Sequence, residues 1–190
     1  MASGPPAVNR TGQLGRWVLL AYRIPREPSR PRIAVWRKLE RLGVGRLGDG
    51  LVALPADART REQLDWIAEE IGEAGGSASV WLATPGTAAQ EREIAQAMRA
   101  ARVAEYEVVI AEAADAAATS DAEQARAVRR LRAELRRIGR RDFFPPPQRD
   151  TARAAVQALA DYHADADYHA DADRHADADA ASTAPAREQA

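Results

Sequence analysis

The stretch Trp17–Ile24, WVLLAYRI, constrains the fold more than any other. Alternate residues of a strand point to opposite faces. Val18, Leu20, Tyr22 and Ile24 would take one face, and Trp17, Leu19 and Ala21 the other. Both sets are apolar, so both faces need cover, and the strand belongs in the interior of a sheet. Pro25 and Pro28 stop it.

Ser29-Arg30-Pro31 then opens a helix, because proline suits the first helical turn and Ser29 can cap it. The helix runs to about Leu42 and ends at Gly43. Val35, Leu39 and Leu42, flanked by Trp36, form its inner stripe, while Arg30, Arg37 and Arg41 share another face. Val44–Leu47 and Leu51–Pro55 flank Gly48-Asp49-Gly50, which predicts a β-hairpin. Asp57 or Thr60 caps a helix over about 61–74, and Thr60 with Gln63 has capping-box spacing. Leu64, Ile67, Ala68 and Ile71 form its stripe, and Gly75-Gly76 ends it. Trp66 lies about 200° from Leu64 around an ideal helix, so a second layer is expected over it. Ala78–Ala83 is the last strand, ended by Pro85-Gly86.

The order is strand, helix, two strands, helix, strand. That predicts an α+β fold with a ferredoxin-like four-stranded antiparallel sheet over residues 16–86 and both helices on one face. The remainder reads as helix. Ala88 to about Ala114 has Ile94, Ala97, Met98, Ala101 and Val108 at helical spacing. Asp121–Arg140 repeats Val128, Leu131, Leu135 and Ile138 in alternating steps of three and four. An acidic first arm and a basic second arm predict a long αα-hairpin, with residues 87–160 as a helical extension packed on the α/β unit. Asp142-Phe143-Phe144 and three prolines stop it, and Thr151 to about Ala160 is a last short helix. Residues 1–15 have no apolar core and read as a disordered leader. From Asp161 the chain repeats DYHADA, DYHADA, DRHADA, so 161–190 is predicted to be a disordered low-complexity tail.

Charge is divided along the chain. The formal net charge is -1. It hides +6 over residues 1–57, -8 over 58–125, +7 over 126–160 and -6 over 161–190. Without the tail the chain is basic, which favours a polyanion partner. Two arginine sets are candidate anion or nucleic-acid sites: Arg23, Arg30, Arg32 and Arg37 around the first helix, and Arg129, Arg132 and Arg136 on the basic arm. The bland counterpart of each is a solvated or internally paired helix face. Arginine richness alone is weak evidence, because the same chain carries 44 alanines and a single lysine, a pattern that base composition also produces.

Catalytic chemistry is narrowed by what is missing. With no cysteine there are no disulfides, thiolate nucleophiles or Cys-type zinc sites. All three histidines, His163, His169 and His175, lie in the tail. A six-residue step turns about 240° on a helix, so they would not share a face, and a loose metal site there has no visible support. The glycines of the hairpin lack the strand–loop–helix context of a phosphate loop. No cofactor is implied and no catalytic residue stands out. Nothing approaches the roughly 20 apolar residues of a membrane span.

At this point the stretch WVLLAYRIPREPSRPRIAVWRKLERLGVGRLGDGLVALP resembles the N-terminal domain of the chromate resistance ChrB family. Arg102, Glu105 and Tyr106 match its R-x-x-E-Y element. Ile138, Asp142, Phe143 and Phe144 match its I-x-x-x-D-F-F element. Trp36, Gly43, Asp49 and Gly50 fall within the long first stretch. More distantly, the βαββαβ unit with W-R-x-L-x-x-x-G resembles the Cas2-like domain of PaaX-type repressors. Their nuclease relatives close the first strand with a metal-binding Asp, where this chain reads Arg23-Ile24-Pro25.

The resemblance implies a bacterial cytoplasmic protein tied to chromate efflux, a chromate-responsive transcriptional regulator or its sensor or dimerisation subunit. Operator DNA, chromate as effector and a second copy of the chain are the implied partners. Longer members carry a C-terminal domain where this chain has the Asp/His repeat, so a separately encoded partner is a further expectation. Two alternatives stand beside it. One is a non-catalytic interaction module, with Arg102 and Glu105 a structural pair and Tyr106 in a core or interface. The other is a metal-dependent enzyme acting on chromate or nucleic acid, which expects Asp49, Asp57 or Glu105 to gather into a carboxylate cluster.

Overall fold

In the computed structural model the described residues are 15–161. The order is β1 (Trp17–Arg23), α1 (Ser29–Leu42), β2 (Gly45–Gly48), β3 (Leu51–Pro55), α2 (Ala58–Glu73), β4 (Ser77–Ala83), α3 (Ala88–Ala116) and α4 (Asp121–Gly139). A further helix covers 148–161. The fold is α+β. The four strands form one antiparallel sheet in the order β2-β3-β1-β4, so β1 and β3 are interior, as the two-sided apolar pattern of β1 demands.

The described chain divides into two compact units. One runs to Glu105 and takes in Arg137–Pro147. The other holds Tyr106–Arg136 and the chain from Gln148. In the first, Val18 and Leu20 are fully buried beside their register partners Leu54 and Val52. Val35 and Leu39 of α1 and Leu64, Ile67 and Ile71 of α2 belong to the same core. On the opposite face, Gly45 pairs with Ala53, and a Cβ on Gly45 would lie 2.9 Å from Ile94 and 3.2 Å from Met98. The first half of α3 therefore covers this second face. Trp17 stacks there on Phe144, with ring centroids 6.0 Å apart. Its indole N–H donates to Glu91 Oε1.

Three local expectations are corrected. Pro28, not Ser29, holds the N-cap of α1, and no side chain caps that end. Asp57 is the N-cap of α2: its carboxylate accepts from the Thr60 N–H while the Thr60 hydroxyl accepts from the Asp57 N–H. Thr60 is thus the third helical residue, and Gln63 plays no part in that cap. Trp66 is 59% exposed. The second layer lies across the other face of the sheet, so the outer side of α2 stays in water. A lone indole tolerates this.

At the hairpin only Gly50 takes a left-handed conformation, and the register shifts between Arg46 and Gly48. This is a bulged hairpin of the kind Gly favours. In the second unit, Tyr106, Val109, Leu131 and Val156 are buried. Ser120 and Glu123 close the start of α4, the Glu123 carboxylate accepting from both the Ser120 N–H and hydroxyl. Those two hydrogen bonds hold its carboxyl below the ordinary carboxylate value.

Candidate functional site

The first helix carries the most distinctive charge. Arg23 at the end of β1 and Arg30, Arg32 and Arg37 on α1 are all exposed. None of the four makes an ion pair among the described residues. The first turn of α1 has no acidic residue and no side-chain cap. Its free backbone N–H groups and its dipole therefore add to the arginine charge there. Trp36 (51% exposed) and Ile33 (44%) lie on the same helix and are also turned to solvent.

The second arginine set is less free. Arg129, Arg132 and Arg136 are exposed on α4. Arg132 donates to Gln157 Oε1, and Arg130, next to Arg129, pairs with Glu112 on α3. That pair is one instance of the acidic arm neutralising the basic one.

Some of the residues carrying the family resemblance, Gly43, Arg102 and Glu105, gather elsewhere, inside the first unit. Arg102 and Arg141 both donate to Glu105 Oε1, at 3.0 and 2.8 Å. Both arginine side chains are 9% exposed. Arg102 Nη1 also reaches the Arg141 carbonyl at 3.5 Å. Desolvation pulls the Arg102 pKa below the ordinary arginine value, and Glu105 is the main group opposing that. Among the described residues, Nε of both arginines and Oε2 of Glu105 are buried without a hydrogen-bond partner, so the cluster is strained in its polar satisfaction.

Gly43 completes it. It takes φ +69°, caps α1, and leaves no room for a Cβ, which would meet Arg102 Nη1 at 2.6 Å and Arg141 Cβ at 2.8 Å. Two buried guanidinium groups thus sit against the negative end of the α1 dipole. Asp142 and Phe143, next in the chain, are buried as well. Three separate stretches of the sequence meet here. The Arg102–Glu105 pairing is legible from the i, i+3 spacing. Arg141, 36 residues beyond Glu105, carries no local sign of joining it.

Asp49 is exposed in the hairpin turn, and Gly50 accepts from the Tyr22 N–H. Tyr106 is buried in the second unit. Asp57 is engaged as a helix cap. Asp49, Asp57 and Glu105 do not gather: no group of three or more His, Cys, Asp or Glu able to hold a metal ion exists among the described residues. His163, His169 and His175 lie outside the described residues. Among the described residues no helix is long and apolar enough to cross a membrane.

These features define a small α+β protein with a basic helix face that has no ion pair among the described residues and an internal arginine–glutamate cluster. The chain belongs to the ChrB N-terminal family: the family model described as "Protein ChrB, N-terminal" matches residues 32–176. That membership associates it with chromate resistance. The match begins inside α1 and takes in Gly43, the Arg102–Glu105–Arg141 cluster and the Phe143–Phe144 pair. No curated protein matches the chain. No solved structure matches it either.

Proposed function

We propose that this chain is a chromate-responsive, DNA-binding regulatory subunit of a chromate efflux operon, acting in the bacterial cytoplasm, with the α1 face as its polyanion surface. The observation that carries the reading is that, among the described residues, Arg23, Arg30, Arg32 and Arg37 have no carboxylate partner around a helix N-terminus without a side-chain cap. Phosphate oxygens suit such a surface, and arginine is the residue that grips them best. Arg129, Arg132 and Arg136, in the other unit, form a separate basic stretch with a supporting role. Chromate, a dianion, would act through the same arginines or through a separately encoded partner.

For the fold we adopt the ferredoxin-like reading, supported by the βαββαβ order and by β1 and β3 as interior strands. The test is an operator shift assay at two salt concentrations, with and without chromate. Binding that weakens steeply with salt and changes with chromate is expected. No binding at low salt would end the reading. The exposed Ile33, Trp36 and Trp66 favour a second reading, a non-catalytic protein-interaction module built on α1 and α2. Under that reading the same assay shows nothing, and Trp36→Ala abolishes capture of a protein partner.

A further inference from the structure

The two edges of the sheet are unlike. β2 has four residues, two of them glycine, with an arginine on the strand and a register shift beside it. Short length, charge and a bulge are the devices by which an edge avoids pairing. β4 has none of these. Its seven residues, Ser77-Ala78-Ser79-Val80-Trp81-Leu82-Ala83, include no charge and no proline, and they pair with β1 along their whole length without a shift. Among the described residues, Ser77–Ala83 make no backbone hydrogen bond outside the sheet. Trp81 is 61% and Leu82 46% exposed, although they are neighbours on opposite faces of the strand. A long, regular, uncharged edge with apolar residues on both faces asks for a further strand.

We propose that this strand is β4 of a second copy of the chain, added antiparallel about a two-fold axis. Two observations favour that occupant. The first is shape. Full overlap of the seven residues centres the axis on Val80. Trp81 then lies opposite Ser79, Leu82 opposite Ala78 and Ala83 opposite Ser77. Each large side chain faces a small one in the other copy, so large and small residues alternate across the join. A parallel, in-register partner would set Trp81 against Trp81.

The second is charge. Arg23 and Arg26 line a concavity with Gly75, Gly76 and Ser77 at one end of β4. Glu93 lines another with Ala83 and Thr84 at the other end, where Arg46 also lies but is already paired with Glu40. None of Arg23, Arg26 and Glu93 has an ion pair among the described residues. An antiparallel two-fold turns the arginine end of each copy toward the glutamate end of the other, twice over. The result is one continuous sheet running through both copies, with each indole at the join. The proposal does not rest on DNA binding.

Sedimentation of the full chain tests it, with two variants. Wild-type protein is expected to sediment at twice the mass of the chain. The double variant Ser79→Lys with Trp81→Lys changes only exposed positions, and should sediment at the single mass with an unaltered far-ultraviolet spectrum. The chain has no cysteine of its own, so Val80→Cys gives an unambiguous cross-link and should yield a disulfide-joined pair on mild oxidation. Wild-type protein at the single mass at its highest soluble concentration overturns the proposal. So does a double variant that stays paired, or a Val80→Cys protein that is paired yet does not cross-link.

Discussion

The guanidinium of Arg102 fills the space in front of Gly43: a Cβ placed on that glycine would lie 2.6 Å from Nη1. One residue ends α1 and the other projects from α3, so the absence of a side chain at Gly43 is what lets the two helices share a charge cluster. Gly43→Ala should cost about 1–2 kcal/mol for the left-handed backbone alone, and more for displacing Arg102 and Arg141. Gly72 has open space and no positive φ within α2. Gly72→Ala should stabilise by about 0.5–1 kcal/mol. Urea midpoints of the two variants check both signs.

Glu105 holds two arginines with one oxygen. Glu105→Gln leaves both guanidinium groups buried beside a neutral amide, and is expected to cost roughly 3 kcal/mol. Glu105→Asp keeps the charge and should lose less. If chemical denaturation shows Glu105→Gln within about 0.5 kcal/mol of wild type, a surface-like effect, the cluster is not structural.

Glu123 predicts a pH dependence. Its folded pKa is depressed by the hydrogen bonds from Ser120. A carboxyl depressed in the fold contributes stability that is full above its unfolded value of 4.5 and fades as pH falls through the folded value. The start of α4 should therefore loosen below pH 4.5, and Glu123→Gln should flatten that response. Amide exchange at the first turn of α4 follows it directly.

Arg30→Gln and Arg37→Gln should each lower the salt slope of DNA binding by about one, with stability unchanged because both side chains are exposed and make no ion pair among the described residues. Arg130→Gln should move the slope less, since Glu112 already holds that guanidinium. Titrations at several salt concentrations separate the two.

Much of this was written locally in the chain. The two-sided apolar pattern of Trp17–Ile24 placed β1 inside the sheet, and the Gly-Asp-Gly turn placed the hairpin. Helix ends were harder, because Asp57 and Thr60 are both good caps three residues apart and only backbone geometry chooses between them. Ser120 and Glu123 have the S-x-x-E spacing of a capping box, and the Glu123 carboxylate closes the start of α4. Trp66 misled because an indole opposite a buried stripe does not demand cover. The cluster at Glu105 lay beyond local rules: Arg102 is a helical neighbour, but Arg141 reaches it only through the tertiary fold.

Neither unit is a continuous piece of chain. The backbone passes between them after Glu105, Arg136 and Pro147. Deletion mapping on this protein will therefore mislead. A fragment ending at Glu105 loses Arg141 and the Phe143–Phe144 pair together with the helices beyond, and its failure would say nothing about which unit binds what. Assigning a role to either unit calls for point substitutions in the intact chain.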